Sequence, residues 1–243
     1  MKVVVLAAGK GIRMKPLTDE KPKAMVELKG KPLLERSLEG LKEAGASEIC
    51  LVVGYLKEQI KDFFGNNFQG VPVFYVEQKE QLGTGHAFLL AKKFCGKENF
   101  LASYCDLVFE GRFIKSFFEF AEKNSGKFYA VVAVRKASDV SKFGLVETDG
   151  CIVKNLVEKP KQKKPGLVNA GLYWFSPKIF DEIEKAKKSP RGEIEITTPL
   201  KKLASQKRLG CFEVQGKSLD IGTKEELEKA EKEFGGKLIK KSN

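Results

Sequence analysis

Histidine occurs once in the 243 residues, as His86, which leaves little room for chemistry that runs on an imidazole base. Cysteine is sparse and odd in number: Cys50, Cys95, Cys105, Cys151 and Cys211 are scattered and form no Cys-x-x-Cys pair. That argues against a disulfide framework or a zinc site and for reduced thiols. No apolar run approaches the roughly 20 residues of a membrane span. Val3-Val4-Val5-Leu6 is too short for a signal-peptide core and leads into a glycine-rich turn, so it reads as a first strand of a cytoplasmic protein. Two familiar phosphate loops are also missing. A Walker A loop ends in Gly-Lys-Ser/Thr, and no such end follows Gly9. A Rossmann fingerprint needs a third glycine where Met14 stands and an acidic residue where Val53-Gly54 closes the second strand.

Acidic residues are outnumbered: 44 Lys and Arg face 32 Asp and Glu, a formal charge of +12. The lysines are spread along the chain among glutamates, as in Lys57-Glu58, and no aromatic-basic module accompanies them. They read as a solvated surface rather than a nucleic-acid interface, and their field favours anionic substrates. The hydrophobic fraction of 42% supports a real core.

Strand and helix signals alternate over most of the chain and predict an α/β fold, a Rossmann-like, mostly parallel sheet sandwiched by helices. Strands are expected at 2–6, 49–53, 71–76 and 100–104. Helices are expected from Pro32, at 57–64, 84–94 and 113–123. From Ala130 the pattern shifts to strands at 131–135, 144–148, 152–157 and 167–175, with Asp149-Gly150 a hairpin turn. Helices follow near 178–186 and 199–205. Thr223-x-x-Glu226 is a capping box that opens a last helix. No repeat or linker divides the chain, so residues 1–243 read as one domain, with 235–243 a frayed tail.

Strand 1 runs into Leu6-Ala7-Ala8-Gly9-Lys10-Gly11-Ile12-Arg13-Met14-Lys15-Pro16-Leu17-Thr18, followed by Lys21-Pro22-Lys23-Ala24-Met25. Small residues let consecutive N–H groups surround an anion, and Arg13 and Lys23 add positive charge; a Gly-x-Gly turn by itself is equally a structural turn. Gln78-Lys79-Glu80-Gln81-Leu82-Gly83-Thr84-Gly85-His86 suits an edge-on contact with a base, or an ordinary capped helix start. Asp106 ends the fourth strand, and Asp220 precedes a Gly turn and a helix; each alone could be a turn or capping carboxylate. Glu158-Lys159-Pro160 and Asn169-Ala170-Gly171 could be an exposed ion pair and a capping Asn.

The full string resembles the signature of the sugar-phosphate nucleotidylyltransferases, and the later motifs fall in that family's order along nearly the whole chain. The resemblance implies that Ala8, Gly9, Gly11 and Arg13 hold the phosphates of an NTP, with Lys23 assisting, and that Gln78, Gly83 and Thr84 read its base. It implies that Asp106 and Asp220 hold a catalytic Mg²⁺. It places Gly144, Glu158, Asn169, Gly171 and Glu195 around the sugar phosphate, with Lys159 on the attacking phosphate. Arg13, Lys23 and Lys159 are then the catalytic cations. Two departures stand out: the family usually has glycine where Cys105 precedes Asp106, and Ser218-Leu219 replaces an aromatic residue ahead of Asp220.

The implied reaction joins an NTP, UTP by preference and dTTP as an alternative, to glucose 1-phosphate or N-acetylglucosamine 1-phosphate. The partners are small-molecule substrates, with no nucleic acid or membrane expected and a homo-oligomer left open. Two rivals stand beside it: a regulatory or binding subunit on the same fold, and a cytidylyl- or guanylyltransferase for another phosphorylated alcohol.

Overall fold

Strand β1 (Lys2–Ala7) is buried on both sides: Val3, Val5 and Ala7 enter one apolar cluster, Val4 and Leu6 another. A central strand covered on both faces needs an unbroken apolar run, which is what the sequence supplies. The structure, a computed structural model, describes residues 1–234; the expected tail at 235–243 lies outside the described residues.

Elements follow in order: β2 (Glu27–Leu28), β3 (Lys31–Pro32), α1 (Leu33–Glu43), β4 (Glu48–Val53), α2 (Lys57–Phe64), β5 (Asn67–Phe68) and β6 (Val71–Glu77). Then come α3 (Thr84–Leu90), α4 (Lys92–Cys95), β7 (Phe100–Tyr104), β8 (Leu107–Phe109), α5 (Gly111–Lys123) and β9 (Ala130–Ala137). The last part holds β10 (Gly144–Asp149), β11 (Ile152–Glu158), β12 (Gly166–Phe175), α6 (Lys178–Glu184), α7 (Thr197–Ser205), β13 (Leu209–Glu213), β14 (Ser218–Asp220) and α8 (Lys224–Phe234).

Among the described residues ten strands form one sheet in the order β10-β11-β13-β9-β12-β7-β1-β4-β6-β5. The α/β half is parallel, β7-β1-β4-β6, and β9 runs parallel to β13. The sheet is mixed as a whole, because β12 runs against both β7 and β9. That reversal brings the carboxyl ends of β1, β7 and β9 to the same edge, where ligands of open α/β sheets bind. Helices α1, α2 and α5 cover one face through Leu38, Ile60 and Phe117; α3, α6 and α7 cover the other through Phe88, Phe180 and Leu200.

The predicted helix at 84–94 is two helices that meet at Ala91, a fully buried residue whose N–H turns back to Phe88. Helix α7 begins two residues ahead of Pro199, where a first-turn proline costs no hydrogen bond. Strands β8, β13 and β14 carried no sequence signal. In β13, Gly210 breaks the β pattern because a side chain there would lie 2.6 Å from the Phe128 ring.

Candidate active site

The phosphate loop is shaped by two glycines with different jobs. Gly11 has φ +64°, and a Cβ there would meet Lys23 Cβ at 2.9 Å and Thr18 Cγ2 at 3.0 Å. The loop can therefore close over Lys23 only because residue 11 is glycine. The Thr18 hydroxyl donates to the Gly11 carbonyl at 2.9 Å and fixes the turn. Gly9 is exposed, and nothing in the protein lies within 4 Å of where its Cβ would be. That open space over backbone is what a phosphate would fill.

Met14 is fully buried and packs with Val26, Leu33, Ile221 and Leu227. Burying such a side chain stabilises by about 1.5–3 kcal/mol. The anchor joins the phosphate loop to α8 and delivers its neighbour Arg13 to the Gly222 turn, where a Cβ on Gly222 would lie 3.0 Å from Arg13 Nη2. Arg13 itself is exposed and makes no ion pair among the described residues. The predicted capping box forms in part: Glu226 N–H donates to Thr223 Oγ1 at 3.2 Å, but the Glu226 carboxylate reaches back past Thr223 and accepts from Gly222 N–H at 2.8 Å, which ties the Gly222 turn to α8.

Asp106 and Asp220 lie 114 positions apart in sequence and side by side in space. The short antiparallel ribbon of β8 and β14 pairs Leu107 with Asp220, and Ile221 N–H donates to the Asp106 carbonyl at 3.1 Å. Lys23 forms an ion pair with Asp106, both side chains being largely buried. Burial pulls the Lys23 pKa down, but Asp106 outweighs it and holds the ammonium above its ordinary value. The Asp220 carboxyl is pushed up to about 6, first by desolvation and then by the charges of Asp106 and Glu226, with Arg135 and Lys23 opposing. Its side chain is still 41% exposed, so the desolvation is that of a cleft floor rather than a core.

Two mutually repelling carboxylates, with an ammonium already drawn to one of them, are a donor set that suits a hard divalent cation completed by phosphate and water oxygens. Among the described residues no cluster of three or more His, Cys, Asp or Glu side chains adds to it. Cys105 lies beside this site, within electrostatic reach of Lys23 and Asp106, with its side chain turned into the core. It is 6% exposed within the apolar cluster of Leu107, Ala170 and Leu172, and burial pushes its thiol up to about 12.

The loop expected to read a base is sewn to the segment expected to line the sugar. Gly85 N–H donates to the Ile194 carbonyl at 2.7 Å, and Ile194 N–H to the Leu82 carbonyl at 2.8 Å. Thr84 Oγ1 accepts from Ile196 N–H at 3.0 Å and donates to Glu195 Oε2 at 3.5 Å. Gly83 has φ +98°, and a Cβ there would lie 2.5 Å from the Ile194 carbonyl oxygen. Gln78 is 4% exposed, and its Nε2 reaches the Gly83 carbonyl at 3.1 Å and His86 Nδ1 at 3.2 Å. It braces the loop from beneath, and His86 is a packing partner whose pKa burial lowers. Burial also raises the Glu195 carboxyl, aided by Glu193 and opposed by Arg191, which pairs with Glu195 at 2.7 Å.

On the other side of the cleft Gly144 pairs with Glu158 across β10 and β11. A Cβ on Gly144 would stand 3.4 Å from Glu158 Oε2 and 3.7 Å from Asn169 Cβ, so the three positions converge. Lys159 is exposed at φ +43°, and its N–H donates to the Phe143 carbonyl at 3.1 Å. Asn169 turns partly inward: its amide donates to Tyr173 at 2.7 Å and accepts from Gly171 N–H at 2.8 Å. Gly171 serves packing, since a Cβ there would lie 2.4 Å from Leu107 Cδ1. It lets the β12 bulge settle on the residue next to Asp106.

Three residues escaped the sequence reading. Gln81 Nε2 donates to the Ala8 carbonyl at 3.0 Å and bridges the base loop to the phosphate loop. Gly54 lets Ala8 and Gln78 approach, because a Cβ there would lie 3.0 Å from both backbones. Arg135 stands 3.9 Å from Asp220 beside a cavity of about 640 Å³ bounded by Phe143, Leu219 and Ala230. Only Gln81 lay inside a motif that the sequence singled out.

The class of protein is set by this arrangement together with its relatives. The nucleotidyl transferase profile matches residues 2–235, and the chain belongs to that family. It is 38% identical over 99% of its length to the bifunctional protein GlmU of Methanococcus maripaludis, and spans 56% of that relative. It is 35% identical to the UTP–glucose-1-phosphate uridylyltransferase AglF of Haloferax volcanii, covering 95% of both chains. The solved structure of a UDP-glucose pyrophosphorylase complexed with UDP-glucose superposes with a TM-score of 0.87 at 27% identity, over 96% of this chain and 98% of that one.

Proposed function

We propose that the chain transfers a nucleotidyl group from an NTP, with UTP preferred, to glucose 1-phosphate or N-acetylglucosamine 1-phosphate. The observation that carries this reading is the meeting of Lys23, Asp106 and Asp220, with Arg13 at the adjoining Gly222 turn, while Gly144, Glu158 and Asn169 converge on a second turn.

The sugar phosphate is already an anion, so its attack needs no general base. One of its oxygens bonds to the α-phosphorus in line with the α–β bridging oxygen; that bond breaks and pyrophosphate leaves with the electron pair. The protein's work is to align two polyanions and offset their repulsion. Arg13, exposed at the loop, faces the departing pyrophosphate. Lys159 meets the attacking phosphate. Lys23, released from Asp106, serves the phosphates between them. Asp106 and Asp220 would hold Mg²⁺, which supplies charge neutralisation on the phosphates when bound.

The UTP preference rests on the Gln78–Thr84 loop. The uracil edge presents an N–H flanked by two carbonyls, which the Gln78 amide oxygen, left over once Nε2 has braced the loop, and backbone groups of this loop can meet. Cytosine would leave some of them unpaired, at about 1–3 kcal/mol for each unmet buried group. Thymine adds one methyl, worth about 1 kcal/mol, so dTTP is the next best donor.

The test is kcat/KM for the common NTPs with both sugar 1-phosphates, read by pyrophosphate release under Mg²⁺. UTP should lead. A preference for CTP or GTP above about tenfold would replace this reading with the other transferase class. No turnover with any pair would favour a regulatory subunit.

A further inference from the structure

We propose that Arg135 is a positioning residue that ties Asp220 to the sugar-side turn at Phe143–Gly144. The proposal rests on the transferase reading above.

Arg135 lies near the end of β9 at the cleft edge. Val131 and Ala133 point into the cluster that holds Cys105 and Leu107, so strand alternation brings Arg135 out on the face that carries the β8–β14 ribbon. Its Nη2 stands 3.9 Å from Asp220 Oδ2, and the centre of its guanidinium lies 4.6 Å from the centroid of the Phe143 ring. A planar cation stacked on a ring and facing a carboxylate is held in two directions, which a lysine ammonium cannot reproduce.

Asp220 needs such a partner. It ends a strand of three residues whose pairing is with β8, and its carboxylate accepts no hydrogen bond among the described residues. Arg135 is its one ion-pair partner among them. Phe143, under the same guanidinium, accepts the Lys159 N–H and precedes Gly144. One side chain thus spans from the candidate metal carboxylate to the turn that presents Lys159 and Glu158. Arg135 and Phe143 are eight positions apart; Phe143 opens the Phe143–Glu147 turn that the family resemblance marks, whereas Arg135 lies outside every motif.

The experiment compares Arg135→Gln, Phe143→Leu, their double variant and Arg135→Lys. KM for the sugar 1-phosphate should rise about tenfold in each of the first two, with KM for the NTP changed less than about twofold. The double variant should be no worse than either single, because both break one link. Arg135→Lys should recover part of the loss. Calorimetry in EDTA gives a readout without turnover: UDP-glucose affinity should weaken about tenfold in Arg135→Gln while UTP affinity holds. Unchanged KM values, equal losses on both substrates, or losses that multiply in the double variant would each overturn the proposal. If Arg135→Gln does not fold, Phe143→Leu and Arg135→Lys decide it by the same split. Wild-type protein that binds neither UDP-glucose nor UTP and turns over no pair would remove the transferase reading, and this proposal with it.

Discussion

Lys23 and Asp106, 83 positions apart in the chain, form a largely buried ion pair beneath the phosphate loop. The candidate metal carboxylate therefore carries an internal cation of its own. Asp106→Asn should destabilise the protein by about 1–3 kcal/mol as well as abolish most turnover, since it strands a largely buried ammonium. Thermal melts alongside pyrophosphate release check this. A melting temperature equal to wild type would mean that the pair contributes nothing to the fold.

Asp220→Asn should behave in the opposite sense. An unfolded Asp loses its proton near 3.8, whereas folded Asp220 loses it near 6. Between these values the folded chain binds the extra proton, so stability falls as pH rises from 3.8 through 6 and stays lower above that. Asparagine carries no such penalty. In EDTA, Asp220→Asn should therefore melt higher than wild type at pH 7.5, with the gain shrinking toward pH 4. Under saturating Mg²⁺ the order should reverse. Melts across this range test it, and a difference that does not vary with pH would refute it.

Arg13→Ala should lower kcat/KM for the NTP by about 10²–10³ and leave KM for the sugar phosphate nearly unchanged. Gly222→Ala offers a subtler probe, because its methyl would press on Arg13 Nη2 and Glu226 Oε2. Both groups are ends of flexible side chains, so a loss of only about threefold to tenfold in the same parameter is expected. Steady-state kinetics with each substrate varied in turn separate the two effects.

Gly83→Ala should damage both substrate sites at once. The new methyl would drive into the Ile194 carbonyl at a backbone angle that alanine rarely adopts. KM should rise for the NTP and for the sugar phosphate together, with stability lowered by about 1–3 kcal/mol. An increase confined to the NTP would show that the two segments act separately.

The sequence announced the phosphate loop, the alternating elements and the positions of both candidate carboxylates, because these depend on local spacing and glycine placement. It was silent on what joins them. Lys23 with Asp106, Thr84 with Ile196, and Arg135 with Asp220 are pairings across 83 to 112 positions, and no periodicity records such distances. The β8–β14 ribbon, three residues on each side, is too short to show alternation. Cys105 looked like an intruder in the motif because the string does not say which way a side chain points; the core took it. Gln78 and Asn169 read as ligand-facing amides, and both spend much of their hydrogen-bonding capacity on their own loops.

The stitching of residues 82–85 to 194–196 also sets the unit by which specificity can be exchanged. A base loop transplanted from a relative would arrive without the strand of backbone that shapes it, and its glycines would meet a foreign residue at position 194. Swapping both segments together preserves the seam. On the roles proposed for these two segments, donor and acceptor preference should travel as one cassette, and grafting residues 78–85 alone should shift the sugar preference as well.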